Sequence, residues 1–451
     1  MKYYSTNLKA EKVNFGTALL KGLADDGGLY MPETFPVFSP DELEALKAMD
    51  YPGIAYAVLH KYLADEIPAD ELRRLVDDAY DFEVPLEPVA DRRFVMRLDQ
   101  GPTASFKDFA ARMMGRLMQF YLKKEHRKLL ILTATSGDTG SAIANAFYGL
   151  DNIEVVVLFP TTEVTARQRK QMTTLGRNIR VLSLDGKFDD CQALVKLAFN
   201  DRELDHLQLS SANSINIGRL LPQAVYYFHS WAKLARDPGE EIILSVPSGN
   251  FGDLMGGLIA KQMGLPVARF VVATNENDEF PLYCENGEYH VIAPSRNCIS
   301  SAMNVGHPSN VARLIAMYGG VMDEKGVIHQ PADLDKIRRE MYAVSVTDAQ
   351  TEETIRSAYE AHKLLLEPHG AVAWAGLTRF LEAHAELRDR LCVSIETAHP
   401  AKFPEKIREL LGFDPELPPS LQNLDDKEEF VSPLENNYPA FKTLLQEKYS
   451  K

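Results

Sequence analysis

The chain has 451 residues, of which 45% are hydrophobic and 25% are charged, an ordinary composition for a globular protein with two or three domains. Its net charge of -15 argues against a role in nucleic-acid binding, and the absence of any apolar run of about 18 residues argues against a membrane protein. Four scattered cysteines without a CxxC pair, and a start without the apolar core of a signal peptide, predict a reduced, cytoplasmic protein without structural zinc.

Residues 1–95 form a region that we predict to be mostly helical. The segments "SPDELEALKAM" and "PADELRRLVDDAY" each place proline at a helix start, followed by an acidic first turn. In "TASFKDFAARMMGRLM" (103–118), apolar residues recur at helical spacing, which predicts a largely buried amphipathic helix. Ser105 and Asp108 have the spacing of a capping box at its start.

From about residue 129, apolar strands alternate with helices. The predicted strands include "KLLILTAT", "EVVVLFP", "NIRVLSL", "EIILSVP", "ARFVVAT" and "LCVSIETA". Such near-continuous apolar strands with helical crossovers predict an α/β fold with parallel sheets covered on both faces. We therefore predict a catalytic core at 96–413, with a smaller subdomain at about 129–240. One long helix is predicted for "NIGRLLPQAVYYFHSWAKLA", and a loosely packed acidic tail for 414–451.

Common signatures of α/β enzymes are absent from the sequence. No two glycines are separated by a single residue, so GxGxxG does not occur, and GxxxxGK[ST], HxxxH and GxSxG are also missing. Two loops remain, "TATSGDTGSA" (133–142) and "VPSGNFGDLMGG" (246–257), each between a predicted buried strand and a helix. Either could be an ordinary tight turn, but two such loops at the carboxyl ends of parallel strands predict a phosphate or carboxylate site.

Lys107 lies in the first turn of its predicted helix, where unpaired N–H groups and the helix dipole disfavour a cation. Position alone favours a lysine whose ammonium reaches solvent along a packed stem. Beside an anion-binding loop, however, a lysine of lowered pKa is a nucleophile suited to a Schiff base with pyridoxal 5′-phosphate.

At these residues the chain resembles the threonine synthase family, within the fold type II pyridoxal-phosphate enzymes. The matching segments are "FGTALLKGLADDGGLYMPE", "GPTASFKDFAARMM", "TATSGDTGSA", "SINIGRLLPQ", "VPSGNFGDLMGG" and "ETAHPAKFPEKI", which together span nearly all of the chain outside the tail. The resemblance implies a tryptophan synthase β-like fold, with two α/β domains, the cofactor in the cleft between them and a helical N-terminal domain. It also implies the conversion of O-phospho-L-homoserine and water into L-threonine and phosphate.

The resemblance further assigns functions to individual residues. Lys107 matches the lysine that bears the cofactor, and Thr397 matches a neutral hydroxyl facing the pyridine nitrogen. The cofactor-phosphate segment is matched by Gly249, Asn250, Phe251, Gly252 and Asp253. The loop for the substrate's α-carboxylate is matched by Ser136, Gly137, Asp138 and Thr139. There, backbone N–H groups and hydroxyls are expected to bind, and the Asp138 side chain to cap the helix. Asn216 and Arg219 match the segment for the substrate's phosphate.

Two alternatives to a synthase stay open from the sequence alone. A phospho-lyase of the same fold would release 2-oxobutyrate and ammonia, and it needs the same lysine and the same phosphate pockets. A catalytically dead relative would bind a phospho-ligand, although the intact Lys107, "SGNFG" and Thr397 speak against it. The expected partner is a small-molecule substrate, with no nucleic acid, no membrane and no metal, for a monomer or homodimer.

Overall fold

A computed structural model describes residues 1–135, 137–162, 164–424 and 426–450 of the chain. The N-terminal region is mostly helical, as predicted, and contains β1 (Tyr3–Ser5), α1 (Phe15–Lys21), β2 (Tyr30–Pro32), α2 (Pro40–Leu46), α3 (Tyr51–Leu63) and α4 (Ala69–Ala79). It is followed by the hairpin of β3 (Leu86–Ala90) and β4 (Arg93–Arg97). This hairpin forms the edge of the larger sheet, and its second strand, β4, spans residue 95. The domain boundary at residue 95 stays a prediction.

The smaller sheet and its helices come next. They are α5 (Lys107–Glu125), β5 (Leu129–Ala134), α6 (Asp138–Phe147), β6 (Ile153–Pro160), α7 (Ala166–Thr173), β7 (Ile179–Leu184), α8 (Phe188–Asn200), β8 (Leu209–Ser210) and α9 (Ala224–Leu234). The strands β5, β6, β7 and β8 are parallel to their neighbours in this sheet. Their side chains are mostly buried on both faces, which explains the continuous apolar runs in the sequence.

The larger sheet and its helices follow. They are β9 (Ile242–Pro247), α10 (Gly252–Gln262), β10 (Val267–Thr274), α11 (Glu279–Asn286), α12 (Val311–Met317), α13 (Leu334–Glu340), β13 (Met341–Ser345), α14 (Asp348–His362), α15 (Pro368–Ala383), β14 (Leu391–Glu396) and α16 (Pro404–Leu411). Between α12 and α13, β11 (Val321–Met322) and β12 (Ile328–Gln330) form a separate two-stranded antiparallel sheet. The strand order is β13-β10-β9-β14-β4-β3, parallel except for the β3–β4 hairpin. The α/β fold with parallel sheets is therefore confirmed. Among the described residues, no helix is both long and apolar enough to cross a membrane.

Two local predictions were wrong. The segment predicted as one long helix begins instead with two 3-10 turns, Ile217–Arg219 and Leu221–Gln223, before α9. The C-terminal segment is not a loose tail, because β15 (Val431–Leu434) pairs in parallel with β7 and α17 (Tyr438–Tyr449) packs against α8. Phe441 and Leu445, four residues apart, form a fully buried stripe of α17 that anchors the segment.

Candidate active site

The strand ends of both sheets bring the predicted residues together around Lys107. Lys107 is the first residue of α5, Asp138 the first of α6, and Gly252 the first of α10. Thr397 directly follows β14, and its carbonyl accepts a hydrogen bond of 2.8 Å from the backbone N–H of Phe106. Residues from widely separated parts of the sequence therefore meet at one place, at the carboxyl ends of parallel strands.

Lys107 is nearly buried, with 14% of its side chain exposed, and its Nζ lies 3.9 Å from Oδ2 of Asp138. Burial lowers the pKa of the Lys107 ammonium, and the nearby cations of Lys402 and Arg219 lower it further, while Asp138 acts in the opposite direction. The direction agrees with the prediction from the sequence. The main cause is desolvation in a closed site, rather than position at a helix start.

The predicted capping box of Ser105 and Asp108 is not formed. Phe106 precedes α5 without a side-chain cap, and the Ser105 hydroxyl has no hydrogen-bond partner among the described residues. The Asp108 carboxylate instead accepts hydrogen bonds from the backbone N–H and the hydroxyl of Thr103, at 2.9 and 2.6 Å. Asp108 therefore fixes the turn that leads into Lys107.

Thr135 and Gly137, between β5 and α6, precede a helix start whose first backbone N–H groups have no intrahelical acceptor. Gly137 has a φ of 139°, and a Cβ there would lie 2.5 Å from the Gln168 side chain, so only glycine fits. The Thr135 hydroxyl accepts hydrogen bonds from the N–H groups of Gly137 and Gly140. Thr139 is half-buried in the first turn of α6. Ser136, also predicted for this loop, lies outside the described residues.

Asp138 does not cap its helix, contrary to the expectation from the sequence. Its carboxylate accepts a hydrogen bond of 3.0 Å from Gln168 and pairs with the Lys402 ammonium, with Nζ 2.6 Å from Oδ1. Burial alone would raise the pKa of the Asp138 carboxyl, but Lys402 and Lys107 outweigh it and hold that pKa well below its usual range. Asp138 is therefore a buried anion between two lysines.

Lys402 is a charged residue of this site that sequence reasoning did not select. Its side chain is fully buried, and Nζ also donates a hydrogen bond of 2.8 Å to the Thr103 carbonyl. The sequence feature that could have identified Lys402 was its position in "ETAHPAKFPEKI", five residues after Thr397, in a segment that resembles the family.

The loop between β9 and α10 owes its shape to close packing and to one unusual residue. A Cβ at Gly249 would lie 2.8 Å from Cα of Met303 and 2.9 Å from the carbonyl oxygen of Ala302. The left-handed conformation falls on Phe251, with a φ of 61°, rather than on a glycine of the loop. The Asn250 Oδ1 accepts a hydrogen bond of 2.7 Å from the backbone N–H of Ser309, which holds the loop from outside.

The Asp253 side chain is turned away from anion binding. Its Oδ1 accepts hydrogen bonds from the hydroxyls of Tyr226 and Tyr227, at 2.6 and 2.7 Å. Burial raises the pKa of the Asp253 carboxyl to about 6. The group that this residue can offer to a phosphate is its backbone N–H, in the first turn of α10.

Thr397 lies at the end of a buried chain of hydrogen bonds. Its hydroxyl is 3.5 Å from Oε1 of Glu367, whose other oxygen lies 2.5 Å from Nδ1 of His369. Because Nε2 of His369 accepts from the backbone N–H of Ala302, at 3.0 Å, Nδ1 carries the proton that is donated to Glu367. This chain orients Glu367 and gives the Thr397 hydroxyl an acidic neighbour.

The two residues predicted for the substrate's phosphate differ in their surroundings. Arg219 is 2% exposed, and it donates 2.7 Å to the Ala212 carbonyl, while its Nε has no partner among the described residues. Burial lowers the pKa of the Arg219 guanidinium to about 10, and no carboxylate pairs with it in the described part of the chain. It is therefore a buried cation with unused hydrogen-bonding capacity.

Asn216 is engaged in structural contacts. Both of its amide hydrogens are used, in bonds of 2.8 Å to the Leu19 carbonyl and 3.1 Å to the Ser211 carbonyl, and its oxygen accepts from Gly218. The assignment of Asn216 to the substrate's phosphate is therefore corrected: its side chain ties the turn to the N-terminal region and leaves no donor for a ligand.

Known proteins match the chain along nearly its whole length. Models of the threonine synthase N terminus, of pyridoxal-phosphate dependent enzymes and of the threonine synthase C-terminal region match residues 2–80, 86–397 and 370–445. Threonine synthase from Escherichia coli (strain K12) is 39% identical, over 98% of this chain and 97% of its own. The enzyme from Buchnera aphidicola (subsp. Acyrthosiphon pisum, strain APS) is 37% identical, over 99% of this chain and 100% of its own.

A solved structure extends the likeness to three dimensions. The crystal structure of PLP-bound threonine synthase from Brucella melitensis covers 100% of both chains with 36% identity and a TM-score of 0.92. The family-model matches run from the N-terminal region into α17, and they include the stretches that meet at Lys107. The chain therefore belongs to the threonine synthase family of pyridoxal-phosphate-dependent enzymes.

Proposed function

We propose that the residues around Lys107 convert O-phospho-L-homoserine and water into L-threonine and phosphate. The observation that carries this proposal is a nearly buried lysine of lowered pKa, with two helix N-termini and a buried arginine close to it. The enzyme family and its cofactor, pyridoxal 5′-phosphate, follow from the comparisons. The functions of individual residues are our proposal.

The residues present fit pyridoxal 5′-phosphate. The first N–H groups of α10, with Gly252 and Asp253, have no intrahelical acceptor and suit its phosphate, and Gly249 allows the loop its close packing. Asn250 and Phe251 shape the same loop, and the Thr397 hydroxyl suits the ring nitrogen. When bound, the cofactor withdraws electrons from the α-carbon of an amino-acid substrate.

Lys107 moves protons in this proposal. Its lowered pKa increases the fraction of neutral amine near pH 7, so that Nζ can accept a proton from Cα of the substrate and release it further along the side chain. A proton is then lost from Cβ as phosphate leaves from Cγ, the hydroxyl of water adds at Cβ, and protons return to Cγ and Cα. The nearly buried position of Nζ limits unwanted proton exchange with bulk water.

Two further groups orient the substrate. Backbone N–H groups at the start of α6, near Gly137 and Thr139, and the Ser136 hydroxyl are proposed to bind the α-carboxylate. The Arg219 guanidinium, whose Nε has no hydrogen-bond partner among the described residues, is proposed to bind the substrate's phosphate. The departing phosphate is thereby held apart from the phosphate of the cofactor.

Lys107→Ala tests the proposal. Threonine and phosphate release should fall to background, because Nζ of Lys107 is the group proposed to move the substrate's protons, and borohydride should no longer attach the cofactor to the peptide that contains residue 107. Lys123→Ala is a matched control, since Lys123 is exposed on the same helix. A fully active Lys107→Ala variant would refute the mechanism, and 2-oxobutyrate as the main product of the wild type would identify a phospho-lyase instead.

We further propose that the protein works in the cytoplasm as a monomer or homodimer. The scattered cysteines support a reducing compartment. Light scattering after size exclusion should give one or two chain masses, and a larger assembly would contradict this proposal.

A further inference from the structure

The loop proposed for the substrate's α-carboxylate contains an anion. Asp138 is the first residue of α6, and its pKa is held so low that it is ionised at neutral pH. A second carboxylate bound at the same turn would be repelled, at a cost that rises steeply in a desolvated site. The proposed function therefore requires compensation for the charge of Asp138.

Lys402 provides a cation at the required place. Its Nζ lies 2.6 Å from Oδ1 of Asp138, and the lysine side chain is completely buried. The other oxygen, Oδ2, faces Lys107 at 3.9 Å. Lys402 thus contacts the side of the carboxylate opposite the catalytic lysine, and the hydrogen bond to the Thr103 carbonyl fixes its position.

We propose that Lys402 is a positioning residue that neutralises Asp138, so that the α6 turn can accept the carboxylate of an amino-acid substrate and Lys107 keeps a reactive amine. This inference rests on the proposed function of the α6 turn. Lys402 does not need to touch the substrate, since it acts through Asp138. A purely structural role is the competing explanation, because a buried ion pair also joins the segment after β14 to α6.

Stability alone is a weak reason for this pair. Replacing a buried ion pair with apolar or neutral groups of similar volume is often neutral for stability, whereas removing one partner leaves a buried charge without compensation. A functional role predicts more than a change in stability. The charge that remains after one partner is removed should shift the pH at which the Lys107 nitrogen is protonated, in a direction that depends on the sign of that charge. Other charged or titratable groups that interact with Lys107 or Lys402, in the described part of the chain, are Arg219, Glu367, Asp253, Asp108 and His399.

The test compares the holoenzyme forms of Lys402→Met, Asp138→Asn and the double variant with the wild type. The first readout is the affinity for L-2-aminobutyrate, an amino acid without a side-chain phosphate, measured by the change in the absorbance band of the bound cofactor. The second readout is the pH at which that band changes in the absence of ligand, since the band reports the protonation of the Lys107 nitrogen. Lys406→Met is the matched control. Lys406 lies on α16 and also pairs with a carboxylate, since its Nζ is 3.0 Å from Oε1 of Glu352.

Opposite shifts in the two single variants are the expected result. Lys402→Met leaves the anion alone, so affinity for 2-aminobutyrate should fall about 10- to 100-fold and the transition of the band should move to higher pH. Asp138→Asn leaves the cation alone, so the transition should move to lower pH without loss of affinity. The double variant should return close to the wild type in both readouts, and Lys406→Met should match the wild type.

Shifts of both single variants in the same direction, or a double variant as weak as Lys402→Met, would overturn the inference. If Lys402→Met does not fold, the Asp138→Asn and double variants still decide: an unshifted band transition in Asp138→Asn, or weak binding by the double variant, overturns it. A wild-type band that does not respond to 2-aminobutyrate would instead refute the proposed function, and this inference with it.

Discussion

Alanine at Gly249 is expected to weaken cofactor binding, while alanine at Gly252, three residues away, is expected to be tolerated. At Gly249 a new Cβ would meet the backbone of the facing segment, 2.8 Å from Cα of Met303 and 2.9 Å from the carbonyl oxygen of Ala302. At Gly252 the nearest atom would be Cβ of Ser214 at 3.4 Å, an ordinary van der Waals contact. Neither glycine has a positive φ, so conformational strain does not separate the two positions.

The magnitude follows from the cost of overpacking. Because backbone atoms cannot rotate out of the way, the Gly249 loop must shift, at a cost of about 1–3 kcal/mol, or roughly 5- to 150-fold in the dissociation constant of the cofactor. Titration of the cofactor-free protein with pyridoxal 5′-phosphate, followed by absorbance, measures this constant for both variants. Equal constants for Gly249→Ala and Gly252→Ala would refute the reasoning, and thermal unfolding of both variants checks that each remains folded.

Two more predictions concern buried cationic or titratable side chains. Arg219→Ala should lose roughly 2–4 kcal/mol of transition-state binding, about two to three decades in kcat/KM for O-phosphohomoserine, while Arg219→Lys recovers only part and both keep the cofactor's absorbance band. An Arg219→Ala enzyme within a few-fold of the wild type would eliminate the assignment. Burial lowers the pKa of His229 to about 4, from an ordinary value of 6.5, so the native state binds fewer protons than the unfolded state between these pH values. The free energy of unfolding should therefore fall as the pH drops from 6.5 to 4, by about 3 kcal/mol at most from this residue, and chemical denaturation of His229→Gln should show a shallower fall. Parallel pH profiles of the unfolding free energy for the wild type and His229→Gln would contradict this prediction.

The sequence was sufficient to predict the architecture and the cofactor. Apolar strand runs indicated the parallel sheets, and the position of Lys107 with two strand-to-helix loops indicated the cofactor. These features can be recognised from local sequence patterns. The carboxyl ends of parallel strands meet at one edge of a sheet, so loops that follow different strands lie close together in the fold. The family resemblance then assigned residues such as Thr397 and Arg219, whose functions remain proposals.

Features that depend on distant packing could not be predicted in the same way. Lys402 pairs with Asp138 although the two residues are far apart in the sequence, and the side-chain amide of Asn216 donates a hydrogen bond to a carbonyl of α1. The left-handed residue of the β9–α10 loop is Phe251, whose ring packs edge-on against Phe280 with centroids 5.0 Å apart, although glycine is the usual choice there. Tertiary contacts thus decided which partner each polar group found and which residue carried the strained backbone.

The position of β14 in the larger sheet has a consequence for the order in which the protein can fold. This strand lies between β9 and β4, so in the described part of the chain β4, at residues 93–97, is linked to β9 and the strands beyond it through residues 391–396. During synthesis from the N terminus, the hairpin of β3 and β4 can pair with β14 after most of the chain has left the ribosome. Pairings between such distant segments slow folding. Since Thr397 follows β14 and Lys107 follows β4, the lysine proposed to move protons and the threonine proposed to face the ring nitrogen come together in that late step. A nascent chain that ends before β14 therefore lacks part of the proposed site.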